Sequence, residues 1–132
     1  MADQHPMQLL KDHSLRFIEM ALSTDHIERI ENPDGYGRRS GECGDTIEFF
    51  LCQTNGRLTT VSFSADGCLH TVACGNSVVR LTQKKSVARA WQLQPDDIIR
   101  FLETLPEDHH HCAELSAGAF YLALKDLERR KA

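Results

Sequence analysis

The sequence contains no run of about 18 apolar residues, the length that a membrane-spanning helix needs. Its first 17 residues include acidic side chains and no uninterrupted apolar core of signal-peptide length. Positive charge is not in excess either, because the formal net charge at pH 7 is -4. The charge therefore gives no reason to expect nucleic acid or an anionic membrane as a partner. We expect a cytoplasmic protein that acts on another protein or a small ligand.

Disulfide and zinc-finger patterns are also missing. The chain has 5 cysteines, an odd number, spread over 132 residues, which is too long to need a disulfide framework. No Cys-x-x-Cys pair occurs, so the spacing of a zinc finger is absent. Free thiols, metal ligands or both remain as roles for these cysteines. If they share an ion, the fold must bring them together from distant loops.

The length and the 41% hydrophobic content are those of one domain with a single core. Segments 46–53 and 57–65 are rich in β-branched and aromatic residues and flank Asn55-Gly56, a pair suited to a type I′ turn. We predict a β-hairpin there. The preceding segment, 33–45, has four glycines in thirteen residues and is predicted to be a flexible or sharply turning loop.

Helices are predicted on both sides of this hairpin. Apolar spacing between Met7 and Ile30 fits one helix with a break or two short helices, ended by Asn32-Pro33. The helices predicted after the hairpin are one that begins just after Cys68, a short one over 86–93, one from Pro95 to Leu105, and one that begins near Cys112. This order indicates an α+β fold in which helices cover a small antiparallel sheet.

Three cysteines, Cys43, Cys68 and Cys112, lie in or beside turn signals, and the last two stand where helices begin. Amide dipoles at a helix start favour thiolate, so we expect lowered cysteine pKa values there. Asp45 follows Cys43 by two residues and His111 directly precedes Cys112. An oxygen and a nitrogen ligand candidate therefore accompany the three sulfurs.

Four short motifs occur together in a fixed order. They are "ENP" at 31–33, "CGD" at 43–45, "DGC" at 66–68 and "HCAEL" at 111–115. As an ordered set, they resemble the IscU/NifU-type iron–sulfur cluster assembly scaffolds. The resemblance implies a SufE/NifU-like scaffold architecture over residues 26–132, with residues 1–25 as an N-terminal helical extension of the same compact unit.

This resemblance also implies a function. Such a scaffold accepts sulfur from a cysteine desulfurase, assembles a labile [2Fe-2S] cluster and gives it to apo iron–sulfur proteins or carrier proteins. It is a carrier rather than an enzyme, expected as a monomer or weak dimer. Carried over by motif, Cys43, Cys68 and Cys112 are the cluster ligands and sulfur acceptors, and Asp45 and His111 are alternative fourth ligands.

Two other functions for the same residues remain open. Three sulfurs with an oxygen or nitrogen ligand also form a competent tetrahedral Zn²⁺ site, so the sequence does not choose the metal. A zinc-containing relay that carries persulfide for a desulfurase is the first alternative. A redox or structural binding module without metal is the second.

One departure from the family concerns the segment before the last cysteine. Members served by a dedicated chaperone carry Leu-Pro-Pro-Val-Lys, where this chain has Leu105-Pro106-Glu107-Asp108-His109. The resemblance therefore does not extend to that chaperone motif.

The remaining candidates have plainer expected roles. Cys52 is predicted to be a small core or half-buried residue and Cys74 to serve helix packing. His109 and His110 are predicted to be solvated turn residues. Trp91 and Phe101 are predicted core anchors.

Overall fold

The computed structural model describes residues 11–131, and the predicted α+β fold with an antiparallel sheet is confirmed. The strands are β1 (Gly35–Ser40), β2 (Thr46–Thr54) and β3 (Arg57–Asp66), in the order β1-β2-β3. The helices are α1 (Leu15–Leu22), α2 (Leu69–Thr82), α3 (Val87–Ala90), α4 (Pro95–Leu102) and α5 (His110–Lys131), with a 3-10 turn at Glu107–His109. Among residues 11–131, no helix combines the length and apolar character needed to cross a membrane.

The predicted hairpin is confirmed, with each strand one residue longer than expected. Asn55 and Gly56 have φ values of 53° and 76°. A type I′ turn requires positive φ at both central residues, which is why this pair joins β2 to β3. The two strands pair antiparallel from Thr46↔Asp66 to Thr54↔Arg57, with a register shift between Cys52 and Gln53.

Strand β1 corrects the prediction of a loop over 33–45. The glycines in its first half serve close packing rather than turning, because a Cβ atom on Gly37 would lie 2.5 Å from the Ala119 carbonyl oxygen and closer still to the Ala123 nitrogen. A Cβ on Gly35 would lie 2.5 Å from the Ala123 carbonyl oxygen. Only the end of the segment turns, at Gly44, whose φ is 92°.

The N-terminal prediction is only partly correct. Helix α1 begins after Ser14, whose hydroxyl accepts a hydrogen bond from the Phe17 amide at 3.1 Å, and it ends at Leu22. Ile27 is not helical and instead bridges to Phe63 of β3. The part of the predicted helical extension that falls on residues 1–10 lies outside the described residues, and the division at residue 25 stays a prediction.

The core lies between the sheet and helices α1, α2 and α5. Phe49 from β2, Phe63 from β3 and Phe120 from α5 are fully buried, and the Phe49 and Phe120 rings meet edge to face at 5.6 Å. Trp91 does not anchor this core, because 37% of it is exposed and its ring stacks on Tyr121 at the surface. Phe101 is half-buried and packs against the core, so the prediction that it anchors the core is partly correct.

Three predicted helices have different bounds in the structure, and the short one predicted over 86–93 covers only Val87–Ala90. Helix α4 ends at Leu102 rather than Leu105, because Glu103 has a positive φ of 67° that no α-helix continues. Helix α5 begins at His110, two residues before Cys112. Cys112 therefore lies inside the first turn of α5, near the helix start that the sequence predicts.

We expect Gly37→Ala to lower the free energy of unfolding by about 2 kcal/mol or more, because the added methyl group has no space against α5. Urea denaturation followed by circular dichroism measures the change. Gly41→Ala is the control, since a Cβ at Gly41 would meet its nearest neighbour at an ordinary 3.6 Å. Equal unfolding midpoints for the two variants would refute the close-packing role of Gly37.

Candidate metal and sulfur site

The site lies where the chain leaves β1, enters α2 and enters α5. The turn after β1 carries Cys43 and Asp45, with a hydrogen bond from the Gly41 amide to the Asp45 carbonyl oxygen at 2.8 Å. Cys68 is the N-cap residue of α2, as the sequence predicts, with extended backbone angles. Cys112 lies in the first turn of α5.

Three of the five predicted site residues form one group. A ligand atom from each of Asp45, Cys68 and Cys112 lies within 4.8 Å of the others, and the Cys68 sulfur is 3.7 Å from Oδ2 of Asp45. Zinc–thiolate bonds of about 2.3 Å and zinc–carboxylate bonds of about 2.0–2.2 Å place tetrahedral ligands at comparable mutual separations. The donor set therefore fits a single ion or one corner of an iron–sulfur cluster.

Thr71 organises this group, although it was not among the site residues predicted from the sequence. The Thr71 hydroxyl donates a hydrogen bond to Oδ2 of Asp45 at 2.5 Å and lies 3.6 Å from the Cys112 sulfur. It is also 3.8 Å from the Cys68 sulfur. Its position one helical turn after Cys68, on the same face of α2, is the signal that could have identified it.

Cys43 and His111 occupy the outer part of the site. Cys43 is exposed and lines an open cavity of about 580 Å³ together with Arg39, His111 and Glu114. Among residues 11–131, it is absent from the groups of three whose ligand atoms lie within 4.8 Å. The Nε2 atom of His111 is 3.7 Å from the Cys112 sulfur, so these adjacent side chains converge although neighbours usually diverge.

Burial controls the chemistry of Cys112. Loss of water around this residue raises its thiol pKa to about 12, and the nearby Cys68 and Asp45 charges act in the same direction. The Thr71 hydroxyl does not offset this rise, because it donates its single proton to Asp45. The expected lowering of the Cys112 pKa by the helix start is therefore wrong, because desolvation outweighs the helix dipole. Metal binding at Cys112 must release a proton.

A second group lies on the other side of Cys68, and it contains His70, which the sequence analysis did not select. The His70 ring is only 5% exposed, its Nδ1 is 3.6 Å from the Cys68 sulfur, and it stacks on His109 with centroids 3.7 Å apart. Burial, followed by the His109 and His13 charges, lowers the His70 pKa to about 4. The prediction of a solvated His109 is therefore wrong.

Cys74 and Cys52 have the structural roles predicted for them, whereas His110 is less exposed than predicted. Cys74 is fully buried in the core and its pKa is raised by burial, which agrees with helix packing. Cys52 is half-buried on β2, as predicted. His110 is not freely solvated, because it is partly buried with Nε2 3.3 Å from the Leu105 carbonyl oxygen.

A small α+β domain that gathers thiols, a carboxylate and imidazoles at one end has the donor set that a metal- or sulfur-binding domain needs. The model of the family described as NifU-like N terminal domain matches residues 26–132. Because this match covers most of the sequence, the chain belongs to the NifU-like N-terminal domain family. The resemblance carried by the four motifs is thereby confirmed.

Individual relatives agree with this assignment. The iron-sulfur cluster assembly scaffold protein IscU 1 of Archaeoglobus fulgidus is 26% identical over 106 residues, which are 80% of this chain and 69% of that protein. The bifunctional protein NifU/MnmA of Rubrobacter xylanophilus is 30% identical over 120 residues, which are 88% of this chain and 24% of that protein.

Solved structures support the fold. The crystal structure of a nitrogen-fixing NifU-like protein (N-terminal) from Brucella abortus has a TM-score of 0.74 and covers 92% of this chain and 98% of its own. Its sequence identity to this chain is 15%, so the similarity is one of architecture.

The pKa of Cys112 leads to a prediction for thiol alkylation. Raising a thiol pKa from 9.0 to about 12 lowers its thiolate fraction at pH 8 about 1000-fold. We expect iodoacetamide to modify exposed Cys43 first and Cys112 far later, and the Cys112 rate to rise about tenfold per pH unit below its pKa. Timed alkylation followed by peptide mass spectrometry measures both rates.

Unfolded protein in urea is the control, because all thiols should then react alike. Equal alkylation rates for Cys43 and Cys112 in the folded protein would disprove the role of burial.

Proposed function

We propose that this protein is a scaffold on which a [2Fe-2S] cluster is assembled from sulfur supplied by a cysteine desulfurase and then passed to apo iron–sulfur proteins or carriers. The observation that carries the proposal is the convergence of Asp45, Cys68 and Cys112 within 4.8 Å around the buried Thr71 hydroxyl. Family membership and the name of the Archaeoglobus relative support it. The cluster is cargo in this function, not a resident cofactor.

Exposure suggests the order of events. Cys43 is exposed on a turn, whereas Cys112 is fully buried, so a bulky desulfurase reaches Cys43 first. The Cys43 thiolate attacks the outer sulfur of the desulfurase persulfide, which forms a persulfide on Cys43 and returns a thiolate to the desulfurase. Conversion of that sulfur to sulfide then takes two electrons from an external reductant.

The mixed donor set suits a cluster that must leave again. Thiolates hold iron–sulfur clusters strongly, while a carboxylate oxygen is a harder and weaker partner for such iron. In this site the same carboxylate already accepts a 2.5 Å hydrogen bond from Thr71. Thr71 therefore competes with iron for Asp45 and keeps that corner of the cluster weak.

The scaffold is a better fit than the zinc-containing persulfide relay. The Archaeoglobus protein is named as a cluster assembly scaffold, and nothing in the geometry of this site requires the relay. Cys43, Cys68 and Cys112 are proposed as ligands, with Asp45 or His111 completing the set.

Anaerobic reconstitution tests the proposal. Wild-type protein with ferrous iron, cysteine and a cysteine desulfurase should develop cluster absorption and bind iron and sulfide, whereas Cys43→Ser, Cys68→Ser and Cys112→Ser should each fail, because each loses a thiolate ligand. Cys52→Ser is the matched control, since Cys52 lies on β2 outside the group. Cluster formation by all three ligand variants would contradict the proposal.

Asp45→Ala tests the weak corner separately. We expect the reconstituted cluster to persist longer and to move to apo-ferredoxin roughly tenfold more slowly, because the labile carboxylate position is lost. Transfer is followed by the circular dichroism of the ferredoxin cluster. Glu42→Ala, which removes an exposed carboxylate from the same turn, should transfer normally. Unchanged kinetics in Asp45→Ala would remove Asp45 from the mechanism.

A further inference from the structure

A cluster of one thiol and two imidazoles lies beside the proposed cluster site, and its two imidazoles have no role in the proposed cluster assembly. Ligand atoms from Cys68, His70 and His109 lie within 4.8 Å of one another. We call these residues the imidazole group. Cys68 also belongs to the group with Asp45 and Cys112, and His109 also belongs to a group with His111 and Cys112, so the imidazole group shares one ligand with each of them.

The imidazole group is held in place from several elements. His70 is in the first turn of α2, and His109 is in the 3-10 turn that leads into α5. Phe17 of α1 packs near the His70 ring with centroids 5.7 Å apart, and His13 stacks on Phe17 at 4.0 Å. His13 is already engaged, because its Nδ1 lies 3.1 Å from both the carbonyl oxygen and the hydroxyl of Thr104.

One atom of the group lacks the interaction that burial normally demands. Nδ1 of His109 is buried, and it has no hydrogen-bond partner within the part of the chain that the structure describes. Most buried polar atoms in proteins are satisfied, so an orphaned ring nitrogen calls for an explanation. Ring stacking accounts for the position of the His109 ring but leaves this nitrogen without a partner. A bound ion would provide one.

We propose that Cys68, His70 and His109 form a second metal site, which binds one divalent ion of borderline softness such as Zn²⁺ or Co²⁺. One thiolate and two imidazoles are ligands typical of such ions, with bonds of about 2.3 Å to sulfur and 2.0–2.1 Å to nitrogen. The 3.6 Å between the Cys68 sulfur and Nδ1 of His70 is close to the separation of two ligands on one tetrahedral ion. Water completes the coordination.

Ion binding must change the histidine stack. The two rings are 11° from parallel, and the lone pair of an imidazole nitrogen lies in the plane of its ring. Lone pairs in parallel planes do not converge on one point, so one ring tilts when the ion binds. The loss of stacking between His70 and His109 is therefore a direct sign of occupancy.

The shared sulfur links this site to cluster assembly. An ion held by the imidazole group occupies the Cys68 thiolate that the cluster also needs, so occupancy of the second site opposes cluster formation. This consequence rests on the proposed function, whereas the ion site itself does not. A scaffold exposed to excess Zn²⁺ would hold the ion at His70 and His109 and would not assemble a cluster.

Cobalt titration tests the site with the other group disabled. The full chain carrying Asp45→Asn and Cys112→Ser keeps the imidazole group intact and should bind one Co²⁺ with thiolate-to-cobalt absorption. Adding His70→Phe or His109→Phe should weaken binding at least tenfold, because each removes a nitrogen ligand while retaining an aromatic ring for the stack. His110→Gln is the matched control and should leave the affinity unchanged, since His110 lies outside the group. Circular dichroism checks that each variant is folded.

A second measurement removes the dependence on those histidine variants. In the Asp45→Asn, Cys112→Ser protein, saturating Zn²⁺ should shift the imidazole nitrogen signals of His70 and His109 in NMR spectra and leave those of His26 in place. Unmoved His70 and His109 signals, or Co²⁺ affinity unaffected by both phenylalanine variants, would overturn the proposal. Failure of the proposed function is distinguishable, because it appears as missing cluster formation in the wild-type reconstitution.

Discussion

Helix α5 lies against strand β1 at a distance that only glycine permits at Gly35 and Gly37. The contact also satisfies the strand, since the Tyr36 amide donates a hydrogen bond to Asp126 of α5 at 2.9 Å. Strand β1 leads directly into the turn that carries Cys43 and Asp45, and Cys112 lies in the first turn of α5. The packing of this strand on this helix therefore determines whether the carboxylate and the buried thiol can meet. The geometry of the site depends on contacts about two to four helical turns along α5 from Cys112.

Two opposing effects act on the thiols at this end of the fold. Helix starts favour thiolate, but removal of water favours the neutral thiol, and at Cys112 the second effect dominates. The resulting thiol pKa of about 12 keeps Cys112 protonated and unreactive until a metal displaces the proton. Cys43, by contrast, is exposed. The site thus combines an exposed thiol that a partner protein can reach with a buried thiol that loses its proton only when a metal binds.

The sequence predicted what depends on local chemistry. Asn55-Gly56 specified the hairpin because few residue pairs adopt positive φ twice in succession, and Cys68 marked the start of α2. Strand β1 was missed because glycine indicates a turn and a close approach equally well, and only the partner helix distinguishes them. The stacking of His70 on His109 joins residues 39 positions apart, a contact that no local pattern encodes. Helical spacing places Thr71 on the same face of α2 as Cys68, so that much was predictable. Its hydrogen bond to Asp45 depends on the tertiary fold and was not.

The position of Cys68 has an energetic consequence. An N-cap residue normally accepts a hydrogen bond from the first turn of its helix, but Cys68 makes no such side-chain bond. Serine, threonine, aspartate or asparagine at this position would stabilise α2 by about 1 kcal/mol. The chain forgoes this stabilisation and keeps a sulfur whose contacts lie with Asp45 on one side and His70 on the other. Because a capping side chain would be turned back toward its own helix, only an uncapped residue can serve both groups. The local instability at the start of α2 is therefore a condition for the chemistry proposed at Cys68.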